Sequence, residues 1–181
     1  MDEVAFWHVV EDCRNEAGAD TEHVARLVLR ALCAMSPSEI LTFERYWFSV
    51  QDQLLGWPLL DAATLLLGPV DDDDFASVQD WIMSHGQAVV HRVKDDPDCL
   101  VELAADRHNA RGDWFRGLAV EALIRTTGSP PGFGGELDET YDELDGTPAD
   151  LTDEGEMRLR YPRIVAYLDE NPWMARPWGD A

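Results

Sequence analysis

The stretch TEHVARLVLRALCAM, residues 21–35, carries the clearest structural signal in this chain. Its apolar residues recur three and four positions apart, at Val24, Leu27, Val28, Ala31, Leu32 and Met35. That spacing places them along one face of an α-helix. Asp20 or Thr21 stands where a helix N-cap belongs. The pattern predicts an amphipathic helix whose apolar face packs into a core.

Similar helical signals lie on both sides of this stretch. A helix is predicted before it, over about residues 4–16, and Gly18 can end this helix. After it, Ser36-Pro37-Ser38-Glu39 forms a capping box with proline at the first helical position. Trp57-Pro58 then begins a helix that is apolar on nearly every side, and Gly68-Pro69 ends it.

Further helices are predicted to begin near Asp71, Gln87, Asp96 and Asp113, the last one carrying Trp114 on its apolar face. No segment alternates apolar and polar residues for long enough to predict a strand. The sequence therefore predicts an all-α protein. We expect a single compact multi-helix domain, a long acidic linker, and a C-terminal helix that packs back on the domain.

The composition changes at residue 129. Residues 129–135 are rich in glycine and proline, and residues 136–156 hold ten acidic residues and no basic one. We therefore predict a helical core domain over residues 1–128, an acidic linker over 129–152, and a C-terminal helix with a tryptophan-containing tail over 153–181. Pro162 is expected to kink or interrupt that last helix.

The charge of the chain limits its partners. Its 181 residues include 14 Lys and Arg against 36 Asp and Glu, a net charge of −22. Such a surface repels the phosphates of nucleic acid and anionic membranes, and it favours a basic protein partner. The acidic N-terminus lacks the pattern of a signal peptide. The longest apolar run, residues 57–70, contains Asp61 and is too short and too polar to span a bilayer. We expect a cytoplasmic protein.

The sequence carries no recognisable catalytic motif. It has no GxSxG, HExxH, phosphate-binding loop or CxxC pair, so we predict no catalytic residues and no cofactor. Four consecutive aspartates, residues 71–74, are the one dense carboxylate cluster. Asp72 and Asp73 could hold Mg²⁺ or Ca²⁺, but acids at a helix N-terminus are more simply explained as caps.

A carboxylate inside an apolar helix requires a partner. Asp61 is expected to pair with an arginine, for example Arg92 or Arg116, to face a ligand, or to be exposed to solvent. If it faces a ligand, we predict a pocket with four lining residues, which are Trp57, Asp61, Trp81 and His85.

Several motifs resemble a bacterial family defined only as a domain of unknown function, DUF4240. They are Phe6-Trp7, Leu41-Thr42-Phe43-Glu44, Trp57 with Leu59 and Ala62-Ala63, Asp72-Asp73 with Phe75, Trp81-Ile82, Asp96-Pro97-Asp98 and, near the end, Arg160-Tyr161-Pro162-Arg163. The resemblance covers roughly residues 4–104, with a weaker similarity near the C-terminus. The family is common in actinobacteria and is sometimes joined to a WGR domain. It implies a fold and gives no activity.

The chain departs from the family pattern at polar positions. It has Pro58-Leu59-Leu60 where the family pattern looks like Asp-Leu-Trp, and Leu67-Gly68-Pro69-Val70 where the pattern looks like Asn-Gly-Gly-Cys. It has Gln79 where the family pattern usually has an arginine. The apolar framework is kept. Any reaction that the family carries out with those polar groups is therefore expected to be lost here.

Three functional hypotheses follow. The first is an interaction module for a basic protein, with Trp173 and Trp178 of the tail as contact residues. The second is a small-ligand-binding protein or enzyme that uses the predicted pocket, with or without a divalent cation. The third is an oligomer formed through the Leu27 and Leu32 face. The sequence leaves the oligomeric state open.

Overall fold

A computed structural model describes residues 1–129, 144–172 and 174 of the chain. Within these residues the secondary structure is helical throughout, with one isolated backbone bridge and no strand, which confirms the all-α prediction. The helices are α1 (Glu3–Ala17), α2 (Thr21–Leu32), α3 (Pro37–Gln53), α4 (Trp57–Leu67), α5 (Asp72–Met83), α6 (Gln87–Asp95), a 3₁₀ helix (Pro97–Asn109), α7 (Leu118–Thr127), α8 (Glu154–Arg160) and α9 (Pro162–Glu170).

The helix ends form where the sequence places capping residues. The side chains of Asp20 and Asp71 accept hydrogen bonds from backbone N–H groups at the starts of α2 and α5. At the start of α3, the backbone N–H of Ser36 donates to Glu39 Oε2 at 2.9 Å, which confirms the capping box. These local bonds fix where the chain changes direction between helices.

One half of the core lies where α1, α2 and α3 meet α7. Helix α1 packs along α2, and both α2 and α3 contact α7. Val24, Val28 and Leu32 of α2 are completely buried, as the helical spacing predicted. Leu27 is also buried, so the face that the oligomer hypothesis needed is part of the core. That hypothesis is therefore wrong for this face.

The second half of the fold is organised by the 3₁₀ helix, which contacts α4, α6 and α9. The C-terminal helix does pack back on the core: α9 contacts α4 as well as the 3₁₀ helix. As expected at Pro162, the final helical region is interrupted. Helix α8 ends at Arg160, and Pro162 is the first residue of α9.

The prediction for α7 was wrong at its N-terminus. The helix begins at Leu118, after Gly117 in the left-handed conformation (φ 73°), and not near Asp113. Trp114 is 36% exposed, and its indole lies against Gly112, where a Cβ would clash with the ring. Phe115 takes the buried position in its place. Because residues 113–117 form a turn and not a helix, Phe115 is buried and Trp114 is partly exposed, the opposite of the prediction for Trp114.

Part of the predicted linker is packed against the domain. The backbone N–H of Trp57 donates to Asp145 O at 2.9 Å, and that of Asp145 donates to Leu55 O at 3.3 Å. Leu144, Ala149 and Leu151 pack against the core. Residues 130–143 of the predicted linker lie outside the described residues.

Among the described helices, none has the length and apolar character that a bilayer crossing requires.

Candidate binding site

A cavity of about 190 Å³ lies between α3, α5 and the start of α7. Helix α3 lines it through two adjacent rows of side chains spaced four residues apart. One row is Phe43, Trp47 and Gln51, and the other is Glu44 and Phe48. Helix α5 contributes Ala76 and Asp80, which are also four residues apart. The turn before α7 contributes Phe115 and Arg116. Three separate segments therefore build one concave site.

Aromatic rings form most of one wall. Phe43 and Trp47 are stacked with their ring centroids 5.8 Å apart, and Trp47 is stacked on Phe115 at 5.1 Å. Phe48, next to them on α3, is 56% exposed. The cavity therefore offers flat apolar surfaces inside and an exposed aromatic side chain among its lining residues.

Asp80 is the buried polar group of the cavity, with only 7% of its surface exposed. Its Oδ1 atom accepts two hydrogen bonds of 2.7 Å, from Trp47 Nε1 and from Gln51 Nε2. Burial nevertheless raises the pKa of this carboxyl to about 7, and the two hydrogen bonds and Arg116 only partly oppose that effect. The group is therefore poised to exchange a proton near neutral pH.

Two further charged groups line the site. Glu44 is half-buried, and burial raises the pKa of its carboxyl. Arg116 opposes the rise in the pKa of Asp80 and also lies near Asp73 (Nη2 to Oδ1, 3.3 Å) and Asp113 (3.6 Å), two carboxylates outside the cavity lining. The charged side chains of the lining are therefore two carboxyl groups and one arginine that also pairs outside the cavity.

His85 and Trp81, two of the predicted pocket residues, belong to a different polar cluster. Both donate towards one oxygen of Asp106: Trp81 Nε1 lies 3.0 Å and His85 Nε2 lies 3.2 Å from Oδ2. Arg14 Nη2 lies 2.9 Å from His85 Nδ1. The cluster ties α1, α5 and the 3₁₀ helix together.

The protonation of this cluster follows from its geometry. Burial, and then the positive charge of Arg14, lower the pKa of His85 to about 4, although Asp106 opposes this. The His85 side chain is only 10% exposed. Arg14, His85 and Asp106 are hydrogen-bonded or paired with one another, so the arrangement is that of a satisfied polar network.

Asp61 and Trp57, the other two predicted pocket residues, lie on α4 near residues 144–161. The Asp61 carboxylate accepts from the backbone N–H of Ala149 at 2.8 Å and from the Tyr161 hydroxyl at 3.4 Å. The two arginines named as examples of a partner pair elsewhere, Arg92 with Glu102 and Arg116 with Asp73 and Asp113, and the charge of Arg160 acts on Asp61 without an ion pair among the described residues. Asp61 is buried and Trp57 is half-buried. The four predicted residues are thus divided between two clusters.

The acidic run at the start of α5 caps the helix. Asp71 Oδ1 accepts from the backbone N–H of Asp74 at 2.8 Å, whereas Asp72 and Asp73 are exposed. Over residues 1–129, 144–172 and 174, no group of three or more His, Cys, Asp or Glu side chains is placed to hold a metal ion. The described structure gives no support to a Mg²⁺ or Ca²⁺ site at Asp72 and Asp73. The predicted contact residues Trp173 and Trp178 lie outside the described residues.

Sequence reasoning missed Asp80, Phe115 and Glu44. The sequence signal for Asp80 was weak: it immediately precedes Trp81 in a predicted helix, and only the structure shows that residues 77 to 83 of this helix are all buried. Gln79, at a position where the family resemblance has arginine, is one of these and donates to Gln51 O at 3.1 Å. A polar residue inside such a helix requires a partner, and that requirement also pointed to Asp61.

Fold and site together define an all-α protein with an aromatic-lined cavity that contains a buried carboxyl group. A family model described as "Protein of unknown function (DUF4240)" matches residues 1–124. The chain belongs to this family, which confirms the resemblance and extends it beyond residue 104. No curated protein and no solved structure matches the chain.

Proposed function

We propose that this protein is a binding protein whose small ligand, with an apolar body, occupies the cavity between α3, α5 and α7. The observation that carries the proposal is the buried Asp80 carboxyl within an aromatic-lined cavity of about 190 Å³. Ligand sites are typically concave and apolar, with a few polar groups that orient the ligand. A cavity of about 150 Å³ is enough to hold a benzene molecule, so this one can receive a single ring with a short substituent.

The energetic cost of this arrangement supports a binding role. An unfilled space between helices forfeits packing contacts, and a carboxyl buried beside it is disfavoured unless it is neutral or well paired. Filling the space with apolar side chains would stabilise the fold. An arrangement that costs stability in this way is typical of a functional site.

A ligand screen with two matched variants tests the proposal. Single-ring fragments are screened by thermal shift, because a ligand that binds only the folded state raises Tm. Ala76→Leu places a larger side chain in the cavity lining, whereas Ala88→Leu makes the same change on the exposed face of α6. We expect fragments that stabilise the wild type and Ala88→Leu and fail to stabilise Ala76→Leu. If no fragment binds, or if Ala76→Leu responds like the wild type, the proposal is wrong.

We also propose a basic protein as a macromolecular partner, on the observation of the net charge of −22. Many arginines are already neutralised locally, as in the pairs Arg26–Glu22, Arg30–Glu16 and Arg158–Asp169. The surplus carboxylates would attract a basic surface through long-range electrostatics. The three cysteines are free, which favours a location in the cytoplasm, because thiols stay reduced there.

Affinity capture at low and high salt, followed by measurement of Kd with the purified partner, tests this second proposal. We expect one basic protein whose affinity falls steeply with ionic strength. The double variant W173A/W178A tests the proposed tail contacts, and it should weaken that affinity without changing its salt dependence. Capture of no basic protein, or an affinity that salt leaves unchanged, would contradict the proposal.

A further inference from the structure

We infer that the ligand of the cavity is an organic cation, an aryl or alkyl group that bears an amine or amidine nitrogen. The nitrogen would donate to Asp80, and the apolar body would lie against Phe48, the exposed aromatic ring of the lining. This inference rests on the proposed function, because it names the chemistry of the ligand that the same cavity would hold.

The charges around the cavity favour a cation over an anion. Helix α3 presents Glu44, and α5 presents Asp80 from the facing side. The single arginine of the lining, Arg116, lies 3.3 Å from Asp73 and 3.6 Å from Asp113. An anionic ligand would therefore meet two carboxyl groups, and the one arginine of the lining is shared with Asp73 and Asp113. A cation would find two carboxyl groups of opposite charge, one of them, Asp80, buried.

The hydrogen bonds within the site leave an acceptor for the ligand. Both donors to Asp80 among the described residues, Trp47 Nε1 and Gln51 Nε2, bind Oδ1. Oδ2 is therefore the oxygen that can accept from a ligand N–H group. A charge-assisted bond of this kind is stronger than one between neutral groups.

The aromatic wall supplies the second element of recognition. Trp47 and Phe115 are stacked with an interplanar angle of 23° and lie beside Asp80. Trp47 is also stacked against Phe43 and is only 8% exposed, so the lining ring that a ligand can reach is Phe48, which is 56% exposed. The face of an aromatic ring carries negative electrostatic potential, so a cation near Phe48 is attracted. A neutral aryl ligand would gain the apolar contact but not this electrostatic term.

Proton exchange at Asp80 is consistent with a cationic ligand. The carboxyl has a pKa of about 7 because of burial. A bound ammonium group would take the place of the proton and hold the carboxylate in its ionised form. Binding of a cation should therefore strengthen as the pH rises through 7. The other charged groups that face this carboxyl are Glu44, Arg116 and Asp113.

Calorimetric titration with a matched pair of probes tests the inference. Phenethylamine and phenethyl alcohol have nearly the same shape and differ in charge. We expect the wild type at pH 8 to bind the amine at least tenfold more tightly than the alcohol. In Asp80→Asn, which keeps an oxygen acceptor for Trp47 and Gln51, that preference should disappear. Glu44→Gln is the comparison variant and should reduce the preference only in part.

Each outcome has a distinct meaning. If both probes bind the wild type equally, or if Asp80→Asn keeps the preference for the amine, the inference is overturned and the proposed cavity function stands. If neither probe binds and the fragment screen is empty, both are overturned. A second measurement does not depend on the folding of the variant: wild-type affinity for the amine should rise at least threefold between pH 6 and pH 8. The affinity for the alcohol should stay constant, and a flat amine profile would overturn the inference.

Discussion

Asp98 Oδ2 accepts a hydrogen bond from Arg163 Nε at 3.1 Å, and the same carboxylate receives the first backbone N–H groups of α9. The backbone nitrogen of Arg163 lies 2.8 Å from Oδ2, and that of Ile164 lies 2.9 Å from Oδ1. Asp98, which is 2% exposed, therefore caps a helix that begins about 65 residues later in the chain. Helix α9 has no side-chain cap of its own at Tyr161.

This contact joins two motifs that the sequence presents far apart. Asp96-Pro97-Asp98 lies inside the part of the chain that the family model matches, whereas Arg163 lies beyond residue 124, where the match ends. Helix α9 packs on the 3₁₀ helix and on α4, and Ile164, Val165 and Leu168 are completely buried there. The C-terminal segment therefore completes the core of the matched region.

Asp98→Ala should destabilise the fold by about 2–3 kcal/mol, because two N–H groups of α9 lose a buried, charged acceptor. Chemical denaturation followed by circular dichroism measures the free energy of unfolding. Glu102→Ala is the matched control: it removes a carboxylate from an exposed pair with Arg92 and should cost less than about 0.5 kcal/mol. Equal effects of the two substitutions would contradict the capping role of Asp98.

The helices of this fold were largely predictable because their signals are local. Asp20, Asp71 and the Ser36–Glu39 box each act within a few residues of their own position. The start of α7 was not predicted, because Gly117 and the contact between Trp114 and Gly112 determine it. That turn depends on side-chain packing, which a helical pattern does not contain.

The candidate site was much less predictable, because it is built from distant residues. Asp80 receives its hydrogen bond from Trp47, 33 residues earlier in the chain, and Phe115 joins the same wall from the turn before α7. The sequence indicated which residues are apolar or acidic. It did not show which helices are neighbours, so it grouped Asp61 with His85, and the structure places them in separate clusters.

Asp80→Asn should stabilise the protein increasingly as the pH rises from about 4 to about 7. Burial raises the folded-state pKa of this carboxyl to about 7 from its ordinary value of 3.8. Between these values the folded state keeps a proton that the unfolded chain has released, so the wild type loses stability as the pH rises. The slope approaches about 1.4 kcal/mol per pH unit at most. Urea denaturation of both proteins at several pH values measures the difference, and a constant difference would contradict the assignment.

His85 should remain a neutral imidazole with its proton on Nε2 down to about pH 4. Arg14 can only donate, so His85 Nδ1, 2.9 Å away, accepts, and Nε2–H then donates to Asp106. Because the unfolded imidazole takes up a proton near pH 6.5 and the folded one near pH 4, stability falls as the pH drops between these values. Nitrogen-15 NMR reports the tautomer and the titration, with the exposed His8 in the same spectrum for reference. A midpoint near 6.5 for His85 would disprove this description.

Asp61→Ala should release residues 144–152 from α4 while leaving the rest of the core closed. The Asp61 carboxylate holds the backbone N–H of Ala149 at 2.8 Å, on the C-terminal side of the contact between Asp145 and Trp57. Loss of that acceptor lowers the local opening energy by about 1.4 kcal/mol, so the Ala149 amide should exchange with solvent about tenfold faster. Hydrogen exchange measured by NMR resolves this amide. Asp72→Ala, a change at an exposed aspartate, is the control and should leave the Ala149 rate unchanged. If Asp61→Ala also leaves it unchanged, other contacts of the segment hold it in place.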